Sequence, residues 1–266
     1  WFRDEAIAIA TYGHIRDWNV SQVTDMSNAF QDRATFNEDI SGWDMSEVNN
    51  ASRMFYGASS FNQPIGNWNL SSATIIWGLF EEASSFNQPI GDWNVSAVTS
   101  IANMFKGASS FNQPIGEWDI SNIITLTNLF NGAAAFNQPI GDWNVSSVTN
   151  MTNMFKGADA FNQPTGDWNV SAVVNMSYMF NWATAFNQNI SSWNLSADLN
   201  MTDMFSNATA LSSMNKGEIH KAFSSNPNWT TDWRKFVVIN DSNFQDVVNL
   251  WFSNQADANA SYGHIR

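Results

Sequence analysis

Tryptophan returns at a fixed step along most of this chain. Trp18, Trp43, Trp68, Trp93, Trp118, Trp143, Trp168 and Trp193 are each 25 residues apart, as are Phe30, Phe55, Phe80, Phe105, Phe130, Phe155, Phe180 and Phe205. No insertion interrupts the eight units. A period of this length, held without slippage, marks a solenoid in which each repeat is one coil stacked on its neighbours. Only a coil of constant path length brings the same residue to the same level every time, so function is expected on a surface built by many units.

The unit from Phe136 to Ala160 reads FNQPIGDWNVSSVTNMTNMFKGADA. Trp143 and Val145 are two apart, which places both on one face of a short strand spanning about Asp142 to Ser146. Val148, Met151, Met154 and Phe155 then follow the spacing of one helical face, with Ser146 or Ser147 as N-cap and Gly157 as the left-handed C-terminal residue. Pro64, Pro89, Pro114, Pro139 and Pro164 fix φ and remove a donor, so FNQP is read as the closing turn. Asn62, Asn87, Asn112, Asn137, Asn162 and Asn187 recur beside the core Phe. Stacked at one level, they form an asparagine ladder to the backbone of the neighbouring coil. A helix is wider than a strand, so the expected stack curves with its strands inside the bend.

A longer period lies above the short one. WFRDEAIAIATYGHIR at residues 1–16 matches WFSNQADANASYGHIR at 251–266, an offset of 251 − 1 = 250 residues. The expected organisation is the end of a preceding linker helix at 1–10 and an eight-coil solenoid at 11–210. A helical cap or inter-module linker follows at 211–260, then the start of the next module at 261–266. In the linker, EIHKAF is a short helix candidate and SSNPNWTTDW a turn-rich connection. SNFQDVVNLWFSN is a helix capped by Ser242, with Phe244, Val247, Val248, Trp251 and Phe252 on one wide apolar face. Phe244, Val248, Trp251 and Phe252 are therefore the candidate module junction. His14 and its counterpart His264 are read as surface or capping hydrogen-bonders.

The chain has 24 acidic and 11 basic residues, a formal net charge of −13, which argues against nucleic acid and anionic membrane as partners. It has no cysteine, which excludes disulfides and thiolate metal sites. No apolar run is long enough to span a bilayer, so no direct membrane insertion is expected in this segment. The three histidines stand in no catalytic motif and no phosphate-binding glycine loop is present, so no catalytic residue, cofactor or metal site is assigned. Asp92, Asp142 and Asp167 form a column whose variants Asn67, Glu117 and Ser192 favour a solvated surface over calcium between coils.

The run WNVSSVTNMTNMFKGADAFNQPIG resembles the repeat of BspA-like and mycoplasma-type surface lipoproteins, whose usual form is close to WDVSSVTNMSxMFxxAxxFNQxI. The resemblance covers about residues 12–210. It implies an α/β solenoid of leucine-rich-repeat-like coils, each a short parallel strand plus a short helix, at a cell surface. It also implies adhesive or structural roles without catalysis. One departure stands out: the Asp after Trp survives at Asp44 and Asp119 but is replaced by Asn19, Asn69, Asn94, Asn144, Asn169 and Asn194, each opening an N-x-S sequon. Further sequons open at Asn50, Asn150, Asn175, Asn189, Asn200, Asn207, Asn228, Asn240 and Asn259. In a secreted eukaryotic protein these are glycan acceptors; otherwise repetition has multiplied one sequon.

Two functions follow. One is a non-enzymatic structural module of a tandemly repeated extracellular or cell-surface filament, whose partners are copies of itself or adjacent modules of the same chain. The other is an adhesin that binds glycans or other surface proteins through outward aromatics. Among those, Trp77 is read as packing and Trp182, at a coil's glycine position, as the candidate ligand contact.

Overall fold

The computed structural model describes residues 4–239, 241 and 243–262. Its α-helices lie at the two ends: α1 (Glu5–Tyr12) before the coils, and α2 (Ser213–Phe223), α3 (Phe244–Ser253) and α4 (Gln255–Tyr262) after them. Single 3-10 turns occupy Ile15–Asp17 and Arg234–Phe236. Between Trp18 and Ser212 the chain is a succession of turns that stack on one another at the 25-residue step.

The stacking is written in the backbone. Amides of alternate residues donate to carbonyls one coil further on: Leu126 to Asn150, Asn128 to Thr152, Phe130 to Met154 and Gly132 to Lys156, at 2.7–2.9 Å. The intervening amides close tight turns within the coil, as from Leu129 to Leu126 and from Asn131 to Asn128. This alternation needs a left-handed residue twice per coil. Positive φ is found at Asn28, Arg53, Gly78, Asn103, Asn128, Asn153, Tyr178 and Asp203, and again at Asp32, Gly57, Glu82, Gly107, Gly132, Gly157, Trp182 and Asn207.

Here the structure departs from the expected coil. The strand expected at Asp142–Ser146 is a pair of turns, with the Trp143 amide on the Ile140 carbonyl and the Val148 amide on the Val145 carbonyl. Extended pairing shrinks to one bridging residue per coil, as in the parallel bridges from Thr125 to Asn150 and from Asn150 to Asn175. The helix expected over Val148–Phe155 is absent as well. Asn150 Oδ1 accepts from the Thr152 amide and hydroxyl, a local bond that competes with helix. The Phe155 amide goes to Met179 of the next coil rather than back along its own. Ser146 is no N-cap; its amide and hydroxyl donate to Asn144 Oδ1. With no helix in the coil, the stated reason for curvature falls away.

The inward and outward assignments do agree with the structure. Trp143, Val145, Val148, Met151, Met154 and Phe155 are buried, while Asn144 is exposed. Phe130 and Phe136 stack at 3.8 Å within a coil, and Phe130 lies 5.7 Å from Phe155 and from Phe105, so the rings form continuous columns. Each buried indole must place its N–H. Trp143 Nε1 donates to the Ile115 carbonyl at 3.1 Å, and the same bond recurs from Trp43 to Trp193. The asparagine ladder is present: Asn137 Oδ1 accepts from the Asn162 amide at 2.9 Å and from Gln163 Nε2 at 3.0 Å.

The last coil is closed by α2 and the segment after it. Ser212 caps α2, its Oγ accepting from the Asn215 amide, and Asn215 Nδ2 reaches back to Asn187. Trp229 and Trp233 pack on Phe205 with ring centroids 6.3 and 5.2 Å away. SSNPNWTTDW is thus more than a link. The chain then leads through α3 to α4, which packs on α3 and on the Arg234–Phe236 turn.

Candidate functional surfaces

The sequon column has a structural cause. Asn94, Asn144 and Asn169 each accept, through Oδ1, the amide and hydroxyl of the Ser two residues on; Asn19 and Asn69 accept the amide. Asp44 and Asp119 do the same with Ser46 and Ser121. In seven of the eight coils the turn uses a carboxamide or carboxylate oxygen followed two residues on by Ser, which N-x-S supplies, whereas Asn194 makes no such bond among the described residues. A hydroxyl and an amide aimed at the carboxylate hold Asp44 and Asp119 below the usual carboxylate range. Asn19, Asn69, Asn94, Asn144, Asn169 and Asn194 are all exposed. Asn50, Asn150, Asn175 and Asn200 form a second column of such turns, and Asn240 lies outside the described residues.

Within the coils, the turn ladder carries the large aromatic residues that face water. Trp182 is 55% exposed with φ 59°, and Tyr178, four residues earlier, is 36% exposed, also with φ 59°. Left-handed φ on a bulky residue is uncommon and costs energy. Lys156 Nζ stands 5.5 Å from the Tyr178 ring centre. Towards the other end, Arg53 lies over Tyr56 at 4.0 Å, with Trp77 at 5.8 Å. Lys106 donates to Glu81 at 2.8 Å, a bond that raises its pKa. The structure therefore sets Lys156 beside Tyr178, and it leaves Trp77, expected as packing, 37% exposed beside Arg53 because its position lies on the outer turn ladder.

At the junction, Val247 is the buried residue of α3, Val248 and Trp251 are half-buried, and Phe244 and Phe252 are exposed. Ser242 lies outside the described residues; the residue preceding α3 is Asn243, which makes no side-chain cap bond. Helices α1 and α4 have the same bounds displaced by 250 residues, Glu5–Tyr12 against Gln255–Tyr262, and bury the same position, Ala8 and Ala258. Glu38 lies 3.7 Å from Nε2 of His14, whose Nδ1 accepts from the Arg16 amide; His264 lies outside the described residues.

Sequence reasoning missed His220. Its Nδ1 accepts from Trp229 Nε1 at 2.9 Å inside the cap, and burial pushes its pKa down. The Trp pair in SSNPNWTTDW was the available signal. Among the described residues no group of three or more His, Asp or Glu side chains is arranged to hold a metal. Asp92, Glu117 and Asp142 border a shallow cavity of about 280 Å³. No described helix is long and apolar enough to cross a membrane.

Stacked turn units, with local polar turns outside and continuous aromatic columns inside, define a repeat protein. The family model described as "Mycoplasma protein of unknown function, DUF285" matches residues 4–118 and 99–218, and the chain belongs to that family. No curated protein and no solved structure shows significant similarity.

Proposed function

We propose that this chain is a non-enzymatic structural module of a large extracellular or cell-surface filament, assembled end to end from 250-residue units. Within that reading it is a leucine-rich-repeat-like solenoid of the BspA-like kind, and its partners are copies of itself or adjacent modules of one chain. The observation that carries the reading is the return of α1 as α4 at a displacement of 250 residues, with the coil stack between them. A repeat of repeats gives length, and length with an acidic surface suits a soluble filament. Electron microscopy of the native protein tests this: filaments with an axial repeat equal to one module support it, and separate single-module particles sink it.

A second reading, an adhesin, is favoured by one observation: Tyr178 and Trp182, exposed aromatics four residues apart in one coil, both hold left-handed φ. Strained exposed aromatics suit a stacking platform for a sugar ring. Saturable glycan binding lost in Trp182→Ala supports it; unchanged binding, or none, removes it.

A further inference from the structure

One position on the outer turn ladder changes from coil to coil in how deeply it lies. At that place Tyr56, Lys106, Asn131 and Lys156 are half-buried, whereas Glu81 and Asn181 are each 7% exposed. These two belong to the coils that carry an exposed tryptophan on the ladder, Trp77 in the third and Trp182 in the seventh. The two covered polar groups differ in their partners. Glu81 Oε1 accepts from Lys106 Nζ at 2.8 Å. The Asn181 backbone is paired on both sides, but its carboxamide makes no hydrogen bond among the described residues. One substitution accounts for this. In the fifth coil Asn131 Nδ2 donates to Asn128 Oδ1 at 3.2 Å, and Asn128 Nδ2 donates to Asn103 Oδ1 at 2.8 Å. In the seventh coil Tyr178 takes the place of Asn128, so Asn181 loses its acceptor, and Asn153 Oδ1, one coil back, is left buried without a donor. Unpaired buried carboxamides are costly. Left-handed φ on Tyr178 and Trp182 adds strain, although three earlier coils hold Gly107, Gly132 and Gly157 at the Trp182 place. The core beneath does not call for this, since Met176, Met179 and Phe180 are buried as in the other coils.

We propose that Trp182 and Asn181, with Tyr178 and Lys156 at the edge, form a binding site for one neutral pyranose ring of a glycan. This rests on the adhesin reading above and names its ligand and its polar contact. A pyranose has an apolar C–H face and a rim of hydroxyls. The indole takes the face, and its own column places only Gly157 beside it on one side, so no side chain of that column stands in the way. The Asn181 carboxamide, two donors and an acceptor on one plane, takes neighbouring hydroxyls. A rotamer change of the exposed Tyr178 or Trp182 opens it, an event of nanoseconds for surface side chains. A purely apolar ligand would leave Asn181 unpaired, and an anion would meet a chain of formal net charge −13. Trp77 does not make a second such site, because Glu81 below it is already bonded to Lys106, and Arg53 beside it lies over Tyr56 at 4.0 Å.

Nuclear magnetic resonance of the full, nitrogen-labelled chain, titrated with methyl β-glucopyranoside, methyl β-galactopyranoside and methyl α-mannopyranoside, decides it. At least one of them is expected to shift the Trp182 indole and Asn181 carboxamide signals saturably, with a Kd on the order of millimolar for a single ring, and to leave the Trp77 indole in place. Asn181→Leu keeps the aromatic surface and removes the polar contact, so binding should weaken about ten-fold. The same change should raise the melting temperature, because an unpaired buried group is lost; a carboxamide with a purely structural role would lower it. Trp182→Gly, which restores the residue of three earlier coils, should also raise the melting temperature and abolish binding. No saturable shift at Trp182 and Asn181 with any of the three glycosides overturns the site, as does undiminished affinity in Asn181→Leu. If a larger surface glycan or protein nevertheless binds and is lost in Trp182→Ala, the pyranose site alone fails and the adhesin reading stands; a native chain that binds none of these removes both.

Discussion

The coil stack and the helical cap hold themselves together in opposite ways. In the stack the core contacts run in columns: the Phe130 ring has Phe105 before it and Phe155 after it, and the Asn137 carboxamide repeats at Asn112 and Asn162. In the cap each contact occurs once, as in the His220–Trp229 hydrogen bond or the seating of Gly217 against the Phe236 carbonyl, where a Cβ has no room. A column distributes stability over nearest neighbours. A single contact concentrates it, so the cap is where one proton or one side chain has a local effect.

The largest test sets one aromatic from each region against the other. Phe130 is fully buried between two rings, and Phe130→Ala removes a whole side chain from a close-packed column, with an expected loss of about 3–5 kcal/mol. Phe252 is 79% exposed, and Phe252→Ala is expected to stay within about 0.5 kcal/mol. Denaturant titration followed by far-ultraviolet circular dichroism measures both. Equal losses would mean that α3 is packed as tightly as the coils, and the contrast would fail.

The next effect lies on the boundary. Asn187 Oδ1 accepts from the Ser212 amide and Asn215 Nδ2, both at 2.9 Å, so this one carboxamide ties the last full coil to α2. Asn187→Ala leaves those donors in a partly buried site, at a cost of about 1–3 kcal/mol. Limited proteolysis should then cut within residues 213–262 first while the coils persist. Cleavage spread evenly over the chain would show that cap and stack unfold as one unit.

Much of this contrast was legible before the structure. The 25-residue period, the inward Trp, Phe and Met, the outward Asn144 and the asparagine ladder all follow from spacing and polarity, because a stacked coil repeats its burial pattern in its sequence. The local conformation was not legible in the same way. Val148, Met151, Met154 and Phe155 fit a helical face, yet turns that reverse at Asn153 and Gly157 bury the same four side chains. What separates the two is where the amides go, and their acceptors lie 24 residues away. The cap was legible only as helices, since its packing depends on His220, Trp229 and Trp233 meeting once, without a repeat to announce them.

Titration separates the two regions by pH. Burial holds the His220 pKa below its ordinary value, with Arg234 acting in the same direction and Asp232 and the Thr231 backbone against it. A folded value below the unfolded one means the unfolded chain binds the extra proton. The cap's stability is therefore whole above the unfolded value of 6.5 and declines as pH falls from there toward the folded value. Protonation of Nδ1 also removes the acceptor for Trp229. In the stack, the Ser hydroxyl and amide bonds lower Asp25, Asp39, Asp44 and Asp119, so their contribution is present above the ordinary value of 3.8 and lost as pH falls through the lower folded values. Tryptophan fluorescence should report the cap loosening between neutral pH and about pH 5, before circular dichroism registers any change in the coils. His220→Phe should abolish the first step; a first step that persists would assign it elsewhere.

The smallest expected effect bears on why the stack carries Asn where Asp also occurs. Asn144 Oδ1 takes the Ser146 amide at 3.2 Å and its hydroxyl at 2.7 Å, and Asp119 Oδ1 takes the Ser121 pair at 3.0 and 2.6 Å. The turn needs the oxygen and is indifferent to the group beside it. Asn144→Asp should therefore be neutral at pH 7 within about 0.3 kcal/mol, whereas Asn144→Ala, which removes the acceptor, should cost about 0.5–1 kcal/mol. Thermal denaturation of the three chains checks the order. The Asn144 nitrogen takes no part in the turn, so a glycan attached there would leave the order intact. Mass spectrometry of native protein would then decide whether the column serves the turn alone or the surface as well. An Asp variant as damaging as the Ala variant would show that the nitrogen, and not the turn, accounts for asparagine at this position.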